Sequence, residues 1–470
     1  MRILVAGVLL AGPTALAFDS GGFFDSARTV AGLAAWALVV ILAVTRAPLP
    51  RSRAAWLAIA GLAGLTAWAA VSLSWTPLSE PARDDVGRLI GYTGALIASA
   101  MAWRETRDVR LVEPALAAGA LVVSLYGLSG RLLPGLIDLD ESATAAGRLE
   151  QPLTYWNAMG VLAALGIVLA IRVAGTPTRP PVLRAAAAAT GAPFGMAIYL
   201  TFSRGAIAAF VVGVAVLLVL SPARDQVRAA IVAVAAGLAA AVTASLLPAV
   251  ESLERGSANR EGAIALAALV VLAGAAAVLQ LRAGRTPTRT FDLPRRTVAI
   301  GIVGAVLVGA PLAAVALDRG DTERGATASR LDDLGSNRYD YWDVALDAWA
   351  DDPLHGSGTA GFRVDWLGER EIEEPVRDAH SLYLETLAEL GLIGLLFLGL
   401  FVGGLAAAAV AAVRRERELV TGAVAGLSLF AVHAAIDWDW EIPAVALPAL
   451  VLAGVALCRA APTPVAGRTD

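Results

Sequence analysis

Apolar residues in this chain come in long uninterrupted runs, and the polar residues are gathered between them. About fourteen runs can be marked, most of them roughly 17–25 residues long, the length a helix needs to cross about 30 Å of hydrocarbon. They cover 3–18, 29–45, 54–74, 87–103, 111–131, 155–171, 185–202, 205–221, 229–248, 262–281, 297–317, 382–412, 419–436 and 442–458. A membrane barrel would instead show short segments of alternating polarity. The pattern predicts an all-α polytopic membrane protein with 12–14 transmembrane helices in a single integral domain, 1–470. The first run ends in ALAF, as a signal peptide's apolar core does, but more runs follow and it is expected to stay as a helix.

The connections alternate in charge. Even-numbered ones carry arginine: Arg46, Arg51 and Arg53, then Arg104, Arg107 and Arg110, and so on to Arg414, Arg415 and Arg417. Odd-numbered ones lean acidic, as in Asp138, Asp140, Glu141 and Glu150, or Asp437, Asp439 and Glu441. The positive-inside bias then predicts that both termini and the even connections face the cytoplasm, with the protein in the cytoplasmic (inner) membrane.

Two outward connections are long. The fifth, 132–154, leads into GRLEQPLTYWNAMG. The eleventh, 318–381, has roughly sixty residues, a length that in a compact architecture is usually functional. This large extracytoplasmic loop is expected to be structured. Asn337 is placed to cap an amphipathic helix over 337–350, with Arg338, Tyr341, Trp342, Ala345 and Trp349 at helical spacing. Pro353 ends it. HGSGTAGF follows, whose Gly356, Gly358 and Gly361 permit positive φ and close approach of backbone N–H groups to a ligand. DAHSLYLE then opens the next run, with Ser381 or Asp378 as its cap.

Composition supports this picture. Hydrophobic residues make up 57% and charged residues 17%, and mean hydropathy is +0.67. Cys458 is the single cysteine, so neither an intrachain disulfide nor a cysteine metal site can form. Three scattered histidines argue against a zinc cluster. No metal, cofactor or nucleic-acid partner is expected. All 37 basic residues are arginine.

Few residues can carry chemistry. Arg204, in TFSRGA, sits between two apolar runs on the outward side. It reads either as an anion clamp, whose planar fork matches phosphate oxygens, or as an interfacial arginine reaching lipid headgroups. His380 reads as a general base or as a structural histidine at a helix start. Arg338, Arg148 and Asn157 are polar and outward but individually weak, and Tyr341, Trp342 and Gly358 are further possible substrate contacts. His355 beside the glycines is a weaker candidate, and His433 near DWDWE is expected to pack or cap.

Taken in order, TFSRGAIAAFVVGV, NRYDYWDVALDAWADDPLHGSGTAGF and DAHSLYLETLAELGLIGLLFL resemble the O-antigen ligase / O-antigen polymerase superfamily, over a core of about 150–412. Its members are membrane glycosyltransferases that take glycan from an undecaprenyl-diphosphate carrier. The resemblance implies that Arg204 and Arg338 bind the lipid diphosphate, and that His380 serves the acceptor. It also implies a lipid-linked glycan donor, a glycan or other hydroxyl acceptor, and a site on the outer side of the bilayer. Fourteen runs exceed the twelve-helix pattern of ligases by about two. A single candidate base is consistent with one inverting displacement.

Two other readings compete. A polyprenyl-phosphate sugar transferase would use carboxylates in the first outer loop, where Asp19 and Asp25 lie, and would often need a divalent metal. A transporter or flippase for lipid-linked sugars would show inverted repeats and broken or charged helices at mid-membrane.

Overall fold

The computed structural model describes residues 2–140, 142–252, 258–283 and 337–461. Among the described residues the secondary structure is entirely helical. Among the described residues, seven helices are long and apolar enough to cross a membrane. They include α2 (Asp25–Val44), α3 (Arg53–Ser72), α5 (Thr106–Leu132), α6 (Trp156–Gly175), α10 (Arg224–Ser245) and α12 (Ala258–Ala283). The seventh, Leu382–His433, is broken twice and becomes α15 below. Shorter apolar helices are α1 (Arg2–Ala17), α9 (Arg204–Leu220) and α16 (Pro443–Arg459). This is a multi-pass membrane protein. The run predicted over 297–317, and the loop from 318 to 336, lie outside the described residues.

Helix α6 is the hub. Its apolar stretch is wholly buried, packed by α5, α8 (Gly191–Leu200), α9, α10 and α15. Helix α2 is mostly exposed and presents Val30, Leu33, Val40 and Val44 outward, as a lipid-facing helix would. Small residues bring backbones together, as is usual for helices packing in lipid. A Cβ on Gly195 of α8 would lie 2.2 Å from the Cα of Gly237 in α10. One on Gly61 of α3 would lie 2.3 Å from the Phe401 nitrogen.

Four predicted runs differ in detail. The 185–202 run is two short helices, α7 (Pro181–Ala189) and α8, meeting at Thr190. Pro193 accounts for the joint: it lacks an N–H, and its ring would meet the carbonyl four residues back. The helix holding the 87–103 run, α4 (Ser79–Ala102), starts earlier than that run and buries a charged first half with Asp85 and Arg88. The 382–412 and 419–436 runs fall on one element, α15 (Leu382–His433), interrupted at Gly391 (φ 61°, ψ −163°) and Glu416 (φ −135°, ψ 49°).

The Gly391 break explains the HGSG turn. A broken helix leaves carbonyls before the gap and N–H groups after it without partners. The turn supplies both: Leu392 N–H donates to the Pro353 carbonyl (2.9 Å) and Ile393 N–H to that of Leu354 (3.2 Å). In return, Ser357 and Gly358 N–H donate to the carbonyls of Ala388 (3.1 Å) and Glu389 (2.8 Å). Gly356 and Gly391 are glycine because the two strands of backbone touch. A Cβ on either would come within 2.4 Å of the other's main chain. These two glycines therefore let the turn meet the broken end of α15.

From residue 337 the segment before α15 is a small folded unit. Helices α13 (Arg338–Asp351) and α14 (Phe362–Glu369) enclose Tyr341, Val344, Ala345, Phe362 and Trp366 against Ala379 and Ala388. Asn337 holds the N-cap position of α13, but its side chain does not cap. It donates to Glu374 instead (3.0 Å).

Candidate active site

Four separated stretches meet at the N-terminal end of α6. Phe202, with φ +49°, turns the chain between α8 and α9. Ser203 then caps α9 by accepting from the Ala206 N–H (3.2 Å), so Arg204 opens the helix. Gly205 is required by packing: a Cβ there would lie 3.1 Å from Ile436 and 3.2 Å from His433. Serine, arginine and glycine in SRG thus each have a local role.

His380 lies between the folded loop and α15. Ser381 caps α15 through the Leu384 N–H (3.4 Å), and Glu385 accepts from the Ala379 N–H (2.9 Å). His380 itself adopts φ +53°, a region costly for a residue with a Cβ and one that tends to occur at functional sites. Its Nδ1 is 2.9 Å from the Asp378 carbonyl. A carbonyl only accepts, so Nδ1 carries the proton and Nε2 is left with its lone pair. Burial, with Arg338 nearby, holds the imidazole below its ordinary proton affinity despite Asp437.

Arg338 leads α13 and donates to Asp437 Oδ2 at 2.5 Å. Asp437 is buried and hydrogen-bonded throughout. Tyr155 donates to Oδ1 (2.6 Å), Asn157 to Oδ2 (2.7 Å) and the Trp438 N–H to Oδ1 (2.9 Å). Burial alone would raise its pKa; Arg338, His380 and His433 more than reverse that and keep it ionised. Burial likewise opposes the charge on Arg338, and Asp437 more than offsets it.

Arg204, Arg338 and His380 line one cavity of about 790 Å³, together with Arg148, Asn157 and Tyr341. Aromatic rings line it: His380 lies 5.0 Å from Tyr341 and 6.3 Å from Trp438, whose ring is tilted 4.5 Å from that of Tyr155. Arg148 sits over Trp156, 3.4 Å from the ring centroid, and donates to the carbonyls of Ala145 (2.7 Å) and Thr144 (2.8 Å). Tyr341 is hydrogen-bonded to Glu374, also in the wall.

Other expected residues fall elsewhere. Trp342 packs against Tyr339 and Ile436, outside the cavity lining. Gly358 (φ +92°) lies against Thr76, where a Cβ would be 2.7 Å from its Cα. His355 pairs with Asp352 (2.9 Å) and packs on Trp75. His433 is buried and paired with Asp439, as packing would require. Asp25 pairs with Arg28, and neither Asp19 nor Asp25 lines the cavity. Among the described residues no group of three or more histidines, cysteines or carboxylates is placed to hold a metal ion.

Sequence reasoning missed Asp437, Tyr155, Glu374 and Arg377, the last being exposed in the cavity wall. The DWDWE run carried a signal, since acids alternating with tryptophans in a very short connection have little water to face.

Residues 186–399 match the family model for O-antigen ligase. That match places this segment in the O-antigen ligase/polymerase superfamily. No curated protein matches the chain. The ligase-like segment holds Arg204, Arg338 and His380, while Asn157 and Asp437, which complete the network behind them, lie outside it. Membership implies an enzyme of ligase or glycosyltransferase type.

Proposed function

We propose that the cavity transfers a glycan from an undecaprenyl-diphosphate carrier to an acceptor hydroxyl, on the outer side of the cytoplasmic membrane, with both termini inside. The observation that carries this reading is the convergence of Arg204, Arg338 and His380, distant in sequence, on one cavity.

The donor is seated with its diphosphate on Arg204 and Arg338. The acceptor hydroxyl lies at His380 Nε2, which takes its proton as the oxygen attacks the anomeric carbon. The bond from that carbon to the diphosphate oxygen breaks, and its electron pair leaves on undecaprenyl diphosphate. Arginines already in place stabilise the charge that grows there, where little water competes. Asp437 holds Arg338 toward the site and balances its charge, and the Asp378 carbonyl sets the imidazole tautomer. A single attack from the face opposite the diphosphate inverts the anomeric centre. Residues of the chain supply every step without a metal.

The break in α15 does not favour a transporter, because the HGSG turn fills it in place of a substrate.

Proteoliposomes holding the full chain, a defined undecaprenyl-diphosphate-linked repeat unit and a hydroxyl acceptor provide the test. Glycan joined to acceptor, with one undecaprenyl diphosphate released per bond and activity retained in EDTA, is the expected result. Successive additions mark a polymerase; a single transfer of preformed chain marks a ligase. Movement of intact lipid-linked glycan across the bilayer with no new bond would sink the proposal.

A further inference from the structure

A second cavity, of about 260 Å³, lies at the end of α2 opposite the active-site cavity. The active-site cavity touches Phe24, just before α2, and the second is lined by Thr45, just after it. A helix of 20 residues is about 30 Å long, the thickness of a hydrocarbon core. With α2 across the bilayer, the two cavities lie at opposite membrane surfaces, the second on the arginine-rich one.

Its wall is part cationic and part apolar. Arg46 and Arg104 stand beside Val5, Leu42 and Met101. Arg104 Nε donates to the Met101 carbonyl (3.3 Å), but its Nη2 is buried with no hydrogen-bond partner among the described residues. A buried donor left in that state costs free energy that an incoming acceptor would recover. Burial loosens the hold of Arg104 on its proton despite Cys458, and the like charges of Arg51 and Arg459 act the same way. Arg459 is answered by Glu416 at 3.2 Å. Arg46 is exposed and makes no side-chain hydrogen bond or ion pair among the described residues. Asp108, also in the wall, faces Arg107 at 3.8 Å. The surface beside the cavity is apolar: Ile3, Leu4 and Val44 are 88%, 56% and 77% exposed.

We propose that this cavity binds one anionic phospholipid, its phosphate oxygens on Arg104 and Arg46 and the start of its acyl chains along Val5, Leu42 and Met101. A soluble phosphate would satisfy the arginines equally. The apolar wall and its continuity with the lipid-facing surface select the lipid, and basic groups at this depth draw anionic headgroups.

The test uses the purified full chain in mixed micelles of equal phosphatidylglycerol and phosphatidylcholine, read by native mass spectrometry. One phosphatidylglycerol should be retained in preference to phosphatidylcholine. The double variant Arg46→Gln/Arg104→Gln should retain it about tenfold less, with phosphatidylcholine unchanged. Arg46→Gln alone, at an exposed position, should shift retention the same way and serves if the double variant does not accumulate. Equal retention of both lipids, or unchanged retention in the variants, overturns the proposal. Displacement of phosphatidylglycerol by glycerol 3-phosphate would assign a soluble phosphate and overturn the lipid assignment.

Discussion

Arg338 and Asp437 form an ion pair of 2.5 Å that joins the folded unit of α13 and α14 to the short connection between α15 and α16. The pair does more than close a gap. Asp437 is also the acceptor for Tyr155 and Asn157 at the head of α6. One buried carboxylate thus links three chain segments, and it holds the guanidinium of a proposed donor-binding residue at the cavity wall.

Asp437→Asn keeps the shape but removes the charge. We expect transfer to fall about a hundredfold, the scale of losing one preorganised donor at a developing charge. The side chain of Arg338 is 18% exposed, so water answers part of the orphaned charge. We therefore expect stability to fall by about 2 kcal/mol, below the range for a fully buried pair. Transfer assayed at matched membrane levels of protein separates the two effects. Unchanged transfer would remove Asp437 from the site.

Arg204→Lys and Arg338→Lys keep the charge and lose the fork. A charged hydrogen bond is worth about 1.5–3 kcal/mol, so each variant should lose about tenfold to a hundredfold in kcat/KM for the lipid-diphosphate donor. The KM for the acceptor should move little. Full activity in both variants would end the clamp assignment.

The helical scaffold could be read from the chain because each apolar run carries its own backbone hydrogen bonds, and length alone decides what spans. The breaks at Thr190 and Gly391 were less legible. An apolar run does not encode a gap whose partners, Pro353 to Gly358, arrive from another part of the chain. The candidate site divides in the same way. Arg204, Arg338 and His380 sit in local patterns that resemble a family, and they meet in one cavity. Asp437 gains its meaning only from tertiary contacts with Tyr155, Asn157 and Arg338. Gly358 had the right conformational freedom, but the structure uses it to pack on Thr76.

The pH dependence of transfer follows from His380. A base works only when neutral, and burial lowers its pKa from the ordinary 6.5. Activity should therefore be flat above about pH 6.5 and fall as pH drops through a pKa below that value. Asp378, which burial and Asp85 push up to about 6 despite Arg363, titrates in the same region and needs a control. Asp378→Asn keeps the backbone carbonyl that orients the imidazole, so its acid limb should survive. In His380→Ala, transfer should drop about a hundredfold or more at every pH. An acid limb that vanished in Asp378→Asn would assign the titration to the carboxylate.

Gly391 offers a test of the scaffold that leaves the cavity residues untouched. Its φ of 61° and ψ of −163° lie in a region held almost only by glycine, at a cost of about 1–3 kcal/mol for other residues. A Cβ would also sit 2.3 Å from the carbonyl carbon of Leu354. Gly391→Ala should pull the HGSG turn off the break and leave backbone groups on both sides without partners. We expect reduced accumulation in the membrane and faster proteolysis between 352 and 362. Gly368→Ala, on an exposed face of α14 with no atom within 4 Å of the new methyl, should behave as the parent protein does. Equal accumulation and proteolysis in the two variants would mean that the turn does not hold the broken helix.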